Sequence, residues 1–141
     1  MLSMFAWTLM TATVVVIAER QYCPIAGQTC TFGSDLCGKE ESGSCSPRCN
    51  CKNERMCSRD SDHTITVVRV FRRRRPVEER YYTCVALSGL EECSNQKALT
   101  DLVPETRELN SVEVHCKCSS PKVYGYHMYL KGYFCGTYER S

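Results

Sequence analysis

The chain has 141 residues, of which 43% are hydrophobic and 24% are charged, and its formal net charge is +2. After the first eighteen residues, no apolar stretch approaches the roughly 20 residues that a membrane-spanning helix needs, which excludes a transmembrane segment from the remainder. The small net charge conceals an uneven distribution, because residues 64–85 carry six arginines and two glutamates. We therefore expect a dipolar molecule with a basic edge suited to an anionic partner.

The N-terminal segment 1–18 reads MLSMFAWTLMTATVVVIA and contains no charged residue. Val16 and Ala18 are acceptable small residues at the −3 and −1 positions of a signal-peptidase site. Cleavage after Ala18 would leave Glu19 as the new N-terminus. The sequence therefore predicts a signal peptide and a secreted, extracellular protein.

Segment 19–63 is dominated by cysteines and has few other apolar side chains. Seven cysteines fall between Cys23 and Cys57, and the remaining apolar residues of the segment are Tyr22, Ile25, Ala26, Phe32, Leu36 and Met56. Ordering the backbone costs about 1–2 kcal/mol per residue, and six such side chains cannot bury enough surface to offset that cost. Covalent crosslinks must therefore hold this segment.

The twelve cysteines of the chain form an even set in a protein predicted to be exported, which indicates a disulfide framework. They are Cys23, Cys30, Cys37, Cys45, Cys49, Cys51, Cys57, Cys84, Cys93, Cys116, Cys118 and Cys135. The alternative is zinc bound by the two Cys-x-Cys pairs with His115 or His127. Such a site needs a reducing compartment, against which the signal peptide argues. We predict no metal and no cofactor.

The cysteines divide unevenly along the chain, seven in 19–63 and five in 64–141. If all twelve pair, at least one disulfide must join the two segments. The connectivity stays open, since twelve cysteines admit on the order of ten thousand pairings. In Cys49-Asn-Cys51 the two side chains point to opposite sides of an extended backbone, so they should reach different partners.

Segment 64–86 predicts the longest hairpin of the chain. Thr64–Phe71 and Val77–Val85 are rich in β-branched and aromatic residues, and Pro76 interrupts the pattern between them. The connecting loop carries the run Arg72, Arg73, Arg74 and Arg75. One interpretation is a contact site for an acidic target such as a channel vestibule, heparan sulfate or anionic lipid. The other is a solvated hairpin tip whose charges prevent aggregation.

Segment 91–102 predicts one short α-helix. Ser94 can cap its N-terminus, whereas Ala98, Leu99 and Leu102 would share one face. Pro104 follows shortly afterwards and would end the helix.

The C-terminal part reads as strands and turns. Val112–Cys118 alternates as a strand does, Ser119–Lys122 is a turn, and Val123–Leu130 pairs with Tyr133–Tyr138 around Lys131-Gly132. Segment 64–141 holds 28 apolar side chains other than cysteine, enough for a modest conventional core. The tyrosines of this part fit a core better than a recognition face, although tyrosine is also enriched in binding patches.

The expected fold is small, disulfide-rich and mostly β, with cysteine-tied hairpins and one short α-helix. Two lobes, 19–63 and 64–141, would be joined by at least one disulfide. His63, His115 and His127 lie in no catalytic motif, and no phosphate-binding loop, zinc-protease helix or nucleophile elbow occurs. We predict that the protein is not an enzyme.

Several motifs resemble the multi-cysteine scoloptoxins of centipede venom, family eleven being the nearest in cysteine order. They are CPIAGQTC, SCSPRCNC, CSNQKAL, VHCKCSSPKVYGY and the final GYFC. The resemblance covers nearly all of the chain after the signal peptide. It implies a secreted venom toxin, and some members of that group are described as inhibitors of voltage-gated potassium channels. It implies no functional residues.

The predicted function is a secreted toxin that binds an extracellular protein target, an ion channel or a receptor, through Arg72–Arg75. Two alternatives stay open. SCSPRCNCK also resembles trypsin-inhibitor-like domains, which would make the protein a serine-protease inhibitor. A growth-factor antagonist similar to the insect giant-lens type is the other. We expect a monomer that binds no nucleic acid, because an exported protein rarely meets that partner.

Overall fold

The computed structural model describes residues 21–69, 75–100 and 112–138; the predicted signal peptide lies outside these ranges. Six strands form one sheet in the order β2-β1-β4-β3-β5-β6. Their bounds are β1 Leu36–Glu41, β2 Ser44–Pro47, β3 Thr64–Arg69, β4 Val77–Thr83, β5 Val123–His127 and β6 Gly132–Gly136. Neighbouring strands are antiparallel except β3 and β5, which run parallel.

The first hairpin joins β1 to β2 through a two-residue turn at Ser42 and Gly43. Both residues have positive φ, 51° and 81°, and Glu41 pairs with Ser44 across the turn. This is the type I′ geometry, whose twist matches that of the flanking strands. The turn therefore fixes the register of the first hairpin.

The predicted central hairpin is confirmed by the pairing of β3 with β4. The antiparallel register runs from Thr64 opposite Tyr82 to Arg69 opposite Val77. β-branched residues fill β3, as the pleated surface of a sheet favours. β4 also pairs with β1, so the central hairpin joins the first segment of the chain to the second.

The predicted C-terminal hairpin is also present. Val123 pairs with Gly136 and His127 with Gly132, and residues 128–131 form the turn. Lys131 has a φ of 49°, the left-handed conformation that closes such turns. The strands are shorter than the sequence predicts, because Met128 to Leu130 belong to the turn.

The predicted α-helix over 91–102 is wrong for residues 91–100, which contain no helix; Asp101 and Leu102 lie outside the described residues. Between residues 22 and 138, the helical elements of the described part are two single 3-10 turns, Ser61–His63 and Leu87–Gly89. The backbone of Ala98 and Leu99 pairs instead with other segments: the Ala98 amide donates to the Tyr133 carbonyl, and Leu99 bridges Val114 and Tyr133. Tertiary pairing overrides a weak local helix propensity here.

Val112–Cys118 is extended but does not form the predicted continuous strand. Its contacts are isolated bridges, from Glu113 to Asp35, from Val114 to Leu99 and from Lys117 to Glu92. Each bridge reaches a different segment, so no ladder develops. The predicted turn that follows is present, since the Lys122 amide donates to the Ser119 carbonyl at 2.9 Å.

All twelve cysteines are paired, and none is free. The six disulfides are Cys23–Cys45, Cys30–Cys49, Cys37–Cys57, Cys51–Cys84, Cys93–Cys116 and Cys118–Cys135. Cys51–Cys84 is the predicted link between the two segments. The members of each Cys-x-Cys pair reach different partners, as strand geometry predicts.

Two buried clusters lie on opposite faces of the sheet. The cystine cluster contains Cys23, Cys30, Cys37, Cys45, Cys49, Cys51, Cys57, Cys84 and Tyr82. The apolar cluster contains Leu36, Ile65, Val67, Tyr81, Ala98, Leu99, Val112, Val114, Cys116, Tyr124 and Tyr133. Consecutive residues of one strand, such as Tyr81 and Tyr82 of β4, belong to different clusters, because side chains alternate between the faces.

Gly38 shows how tightly the cystine cluster packs against β1. A Cβ atom at this position would lie 2.6 Å from the Cys45 sulfur and 2.7 Å from the Cys23 sulfur. Such distances are shorter than any real contact of this kind. A glycine is therefore required where the Cys23–Cys45 disulfide crosses the strand.

The C-terminal tyrosines divide between core and surface. Tyr124 and Tyr133 are buried in the apolar cluster, and Tyr126 packs against its edge. The Tyr124 hydroxyl donates to the Cys116 carbonyl at 2.9 Å, and burial raises the pKa of Tyr124 to about 12. Tyr129, in contrast, is 94% exposed. The predicted core role is confirmed for the first two and wrong for Tyr129.

Candidate binding surface at one end of the sheet

Three hairpin connections lie at the same end of the sheet, which we call the tip end. β1 and β3 both pair antiparallel with β4, so they run in the same direction. β5 runs parallel to β3, with Val67 opposite Tyr124 and Val68 opposite Gly125. The connections that follow these three strands therefore leave the sheet at one end. They are Ser42–Gly43, residues 70–76 and residues 128–131.

The predicted contact residues stand on the second of these connections. Arg72, Arg73 and Arg74 lie outside the described residues, whereas Arg75 is described and exposed. The flanking strand ends are well defined, because Arg69 pairs with Val77. The assignment of Arg72–Arg75 as a contact site stays a prediction.

A polar network centred on Tyr81 joins β3 to β4. Tyr81 is 1% exposed, its hydroxyl donates to Glu79, and the Arg69 guanidinium donates to that hydroxyl at 3.0 Å. Burial, followed by the hydrogen bond to Glu79, raises the pKa of Tyr81. The network ties Arg69, the last residue of β3, to Glu79 and Tyr81, the third and fifth residues of β4.

Two further cations approach Tyr81 from neighbouring segments. The Lys39 ammonium and the Arg48 guanidinium lie 5.9 Å and 5.4 Å from the ring centroid, within the range of cation–π attraction. Lys39 also forms an ion pair with Glu79 at 3.7 Å. Burial lowers the pKa of Arg48. The network thus extends across β1, β3 and β4 and contains three cations, Lys39, Arg48 and Arg69, with one carboxylate, Glu79.

On the other face of the sheet, Arg59 makes a second set of contacts around Tyr82. The Arg59 guanidinium lies 5.5 Å from the Tyr82 ring centroid and donates to the Tyr82 hydroxyl at 3.3 Å. It also donates to the Gly43 carbonyl at 3.0 Å. Arg59 therefore connects the turn of the first hairpin to the central strand.

The third connection is apolar and exposed, which the sequence interpretation missed. Met128, Tyr129 and Leu130 are 56%, 94% and 57% exposed. The sequence predicts them in a strand, Val123–Leu130, where alternation would bury some of their side chains. The sequence does contain a clue: three apolar residues directly precede the predicted turn at Lys131-Gly132. A turn of four residues, in place of two, leaves all three outside the sheet.

Asp35 is the one charged residue that is fully buried among the described residues. Its Oδ2 accepts from the Phe32 amide at 2.8 Å, whereas its Oδ1 has no hydrogen-bond partner in the described part of the chain. Burial raises the pKa of Asp35 despite that amide donor. An unpaired buried carboxylate oxygen is costly, so protonation of Asp35 should stabilise the folded state.

The cysteine groups that resemble metal sites are made of disulfide sulfur. Cys30, Cys51 and Cys84 lie close together, as do Cys93, Cys118 and Cys135, and Cys30 and Cys49 lie near Asp35. Every one of these sulfurs is already bonded to another. Metal binding requires the thiolate, so the alternative of zinc held by the Cys-x-Cys pairs does not fit the oxidised protein.

A shallow pocket of about 140 Å³ lies beside the second pair of disulfides, lined by Glu92, Cys93, Lys117, Ser119, Ser120, Pro121, Lys122 and Cys135. Small-molecule sites usually occupy about 300–1,000 Å³. The pocket is therefore too small for a drug-sized ligand. The tip end carries the exposed residues Met128–Leu130, Lys131 and Arg75 and is better suited to a macromolecular partner.

No protein family, no curated protein and no solved structure matches the chain. The resemblance to scoloptoxins therefore stays a prediction based on the motifs quoted above. No described helix is long and apolar enough to cross a membrane. The six disulfides are consistent with an extracellular protein.

Proposed function

We propose that the protein is a secreted toxin that binds an extracellular ion channel through the arginine run Arg72–Arg75. By the resemblance to scoloptoxins, the channel would be a potassium channel. The observation that carries the proposal is the construction of the central hairpin. The Tyr81 network joins Arg69, the last residue of β3, to Glu79 and Tyr81 of β4, and the connection that follows Arg69 contains four consecutive arginines.

Rigid strand ends favour binding because less conformational freedom is lost on association. Potassium channels present carbonyl and carboxylate oxygens to cations, so a positively charged loop can be attracted to the pore. The cystine cluster adds to this rigidity, since its disulfides hold the first hairpin and the start of β1 in place. The protein would act by occupying the target and would catalyse no reaction.

The test measures block of potassium currents in oocytes by the oxidised protein. Arg74→Ser/Arg75→Ser removes two charges from the run, and Arg55→Ser/Lys122→Ser removes two exposed charges elsewhere. We expect the first variant to block at least about tenfold more weakly and the second to retain potency. The residual block should also fall with rising salt, because exposed charges are screened. Equal potency of both variants would exclude the run as the contact.

The alternatives are tested with the same preparation. A serine-protease inhibitor would titrate trypsin or subtilisin stoichiometrically, and a growth-factor antagonist would bind a ligand and leave both currents and proteases unaffected. Either result, with no channel block, would replace the toxin proposal.

A further inference from the structure

The exposed apolar turn at residues 128–130 differs from the other exposed apolar side chains. Elsewhere in the described part of the chain, large exposed apolar residues occur singly, as at Ile25, Phe32 and Met56. Single residues of this kind are normal on a protein surface. Three consecutive ones form a continuous apolar projection, which usually marks an interaction site.

The turn is held in one shape by the preceding His127. The Leu130 amide donates to His127 Nδ1 at 3.2 Å. The His127 ring also lies 6.1 Å from the Tyr129 ring and 6.2 Å from the Phe134 ring, centroid to centroid. The apolar side chains are thus presented outward on a turn that needs little ordering when it binds.

Exposed cationic residues occur at the same end of the sheet as the projection. Lys131 follows it directly and is exposed. Arg75 is exposed as well and lies just before β4, which β3 separates from β5. The apolar projection therefore shares this end of the sheet with positive charge.

We propose that this turn inserts into the interface of an anionic phospholipid bilayer. Tyr129 is suited to the headgroup region, where the amphipathic tyrosine ring is enriched. Met128 and Leu130 would enter the boundary of the acyl chains, and Lys131 and Arg75 would face lipid phosphates and carboxylates. Apolar area combined with flanking cations is the combination by which peripheral proteins bind anionic membranes.

The inference does not depend on the channel proposal, since a membrane-bound protein can act on any extracellular target. It predicts that the oxidised protein co-sediments with vesicles of phosphatidylserine and phosphatidylcholine, and much less with vesicles of phosphatidylcholine alone.

Two triple variants provide the decisive comparison. Met128→Ser/Tyr129→Ser/Leu130→Ser removes the projection, and Ile25→Ser/Phe32→Ser/Met56→Ser removes three exposed apolar side chains elsewhere. We expect the first to bind anionic vesicles at least about tenfold more weakly and the second to bind as the unmodified protein does. Absence of binding by the unmodified protein, or an equal loss in both variants, would overturn the proposal.

A single-residue reporter guards against misfolding of the triple variants. The one tryptophan of the chain, Trp7, lies in the predicted signal peptide, so the secreted protein has no other tryptophan, and Tyr129→Trp should show a blue shift of its fluorescence with anionic vesicles. Ile25→Trp, at a site that is 90% exposed, should show none. Equal shifts at both positions, or no shift at residue 129, would also overturn the proposal. If the turn variant lost activity on cells while Tyr129→Trp showed no shift with vesicles, a protein pocket would replace the bilayer as the partner.

Discussion

The two faces of the sheet are stabilised by different chemistry. On one face, the cystine cluster consists of eight half-cystines and Tyr82. On the other, the apolar cluster consists of aliphatic and aromatic side chains and contains one cysteine, Cys116. The comparison shows that a segment poor in apolar residues can share a sheet with a conventional core when its own interior is made of disulfide sulfur.

The apolar cluster and the cystine cluster stabilise the folded protein by different physical mechanisms. Burial of aliphatic groups stabilises the folded chain through transfer from water. A disulfide acts mainly by restricting the unfolded chain. Here the sulfur atoms of the cystine cluster do both, because they are buried against one another, as in the 3.6 Å approach of the Cys30 and Cys84 sulfurs.

The largest expected effect comes from removing one disulfide of the cystine cluster. The comparison is a disulfide outside that cluster that closes a loop of similar length. Cys37–Cys57 and Cys118–Cys135 close loops of similar length, with separations of 20 and 17 residues. The restriction of the unfolded chain therefore predicts that each disulfide raises the free energy of unfolding by about 3 kcal/mol. Cys37 is fully buried in the cystine cluster, so its removal should also leave a cavity. Cys37→Ala/Cys57→Ala should therefore lower the free energy of unfolding by about 4–5 kcal/mol. Cys118→Ala/Cys135→Ala should lower it by about 3 kcal/mol. Denaturant unfolding measures both, and equal losses would contradict a packing role for the sulfur.

Leu99→Ala tests the apolar cluster itself. Leu99 is fully buried and bridges Val114 and Tyr133, so a cavity should remain after truncation. The free energy of unfolding should fall by about 3 kcal/mol. Ile25→Ala, at a 90% exposed site, is the control and should change it by less than about 0.5 kcal/mol. A small effect of Leu99→Ala would mean that the disulfides alone maintain this face.

Tyr81→Phe removes the hydroxyl that links Arg69 to Glu79 while it keeps the buried ring. The free energy of unfolding should fall by about 1–2 kcal/mol, because Arg69 and Glu79, the partners of the hydroxyl, are charged and only partly exposed. Tyr129→Phe, which removes an exposed hydroxyl, should be neutral. Faster amide exchange in β3 and β4 of Tyr81→Phe would locate the effect at the foundation of the arginine hairpin; unchanged exchange there would contradict that role.

The smallest expected effect concerns pH and Asp35. Since burial raises the pKa of Asp35 above its ordinary value of 3.8, the folded state takes up this proton before the unfolded state does. The free energy of unfolding should therefore rise as pH falls from 7 toward that value. Asp35→Asn should remove the rise and should not destabilise the protein at pH 7. A destabilised Asp35→Asn variant would mean that the charge itself is needed.

Two exposed aspartates, Asp60 and Asp62, have the opposite effect: at lower pH they make the free energy of unfolding fall as pH falls. Hydrogen bonds from His63 lower the pKa of Asp60, and hydrogen bonds from Ser88 lower that of Asp62. Their contribution is present above the ordinary aspartate pKa and is lost as pH falls through the lowered values. The stability profile should therefore have a maximum between the raised pKa of Asp35 and the lowered pKa values of Asp60 and Asp62. Thermal unfolding measured against pH should show a flatter profile for Asp35→Asn/Asp60→Asn.

The sequence by itself determined the kind of scaffold. The excess of cysteine over apolar residues between Glu19 and His63 required disulfides, and the odd count on each side of residue 63 required a link such as Cys51–Cys84. The β-branched runs predicted the central hairpin, and Lys131-Gly132 predicted the C-terminal one. These features depend on composition and on neighbours along the chain, so they can be read locally.

Only the tertiary structure decided which cysteines pair, that Ala98 and Leu99 join β-type bridges where a helix was predicted, and that β3 lies parallel to β5. The parallel pairing brings the arginine connection and the apolar turn of Met128–Leu130 to one end of the sheet. Such features depend on contacts between residues that are far apart in the chain. Their energies are set by the burial of whole segments against one another, which no local pattern contains.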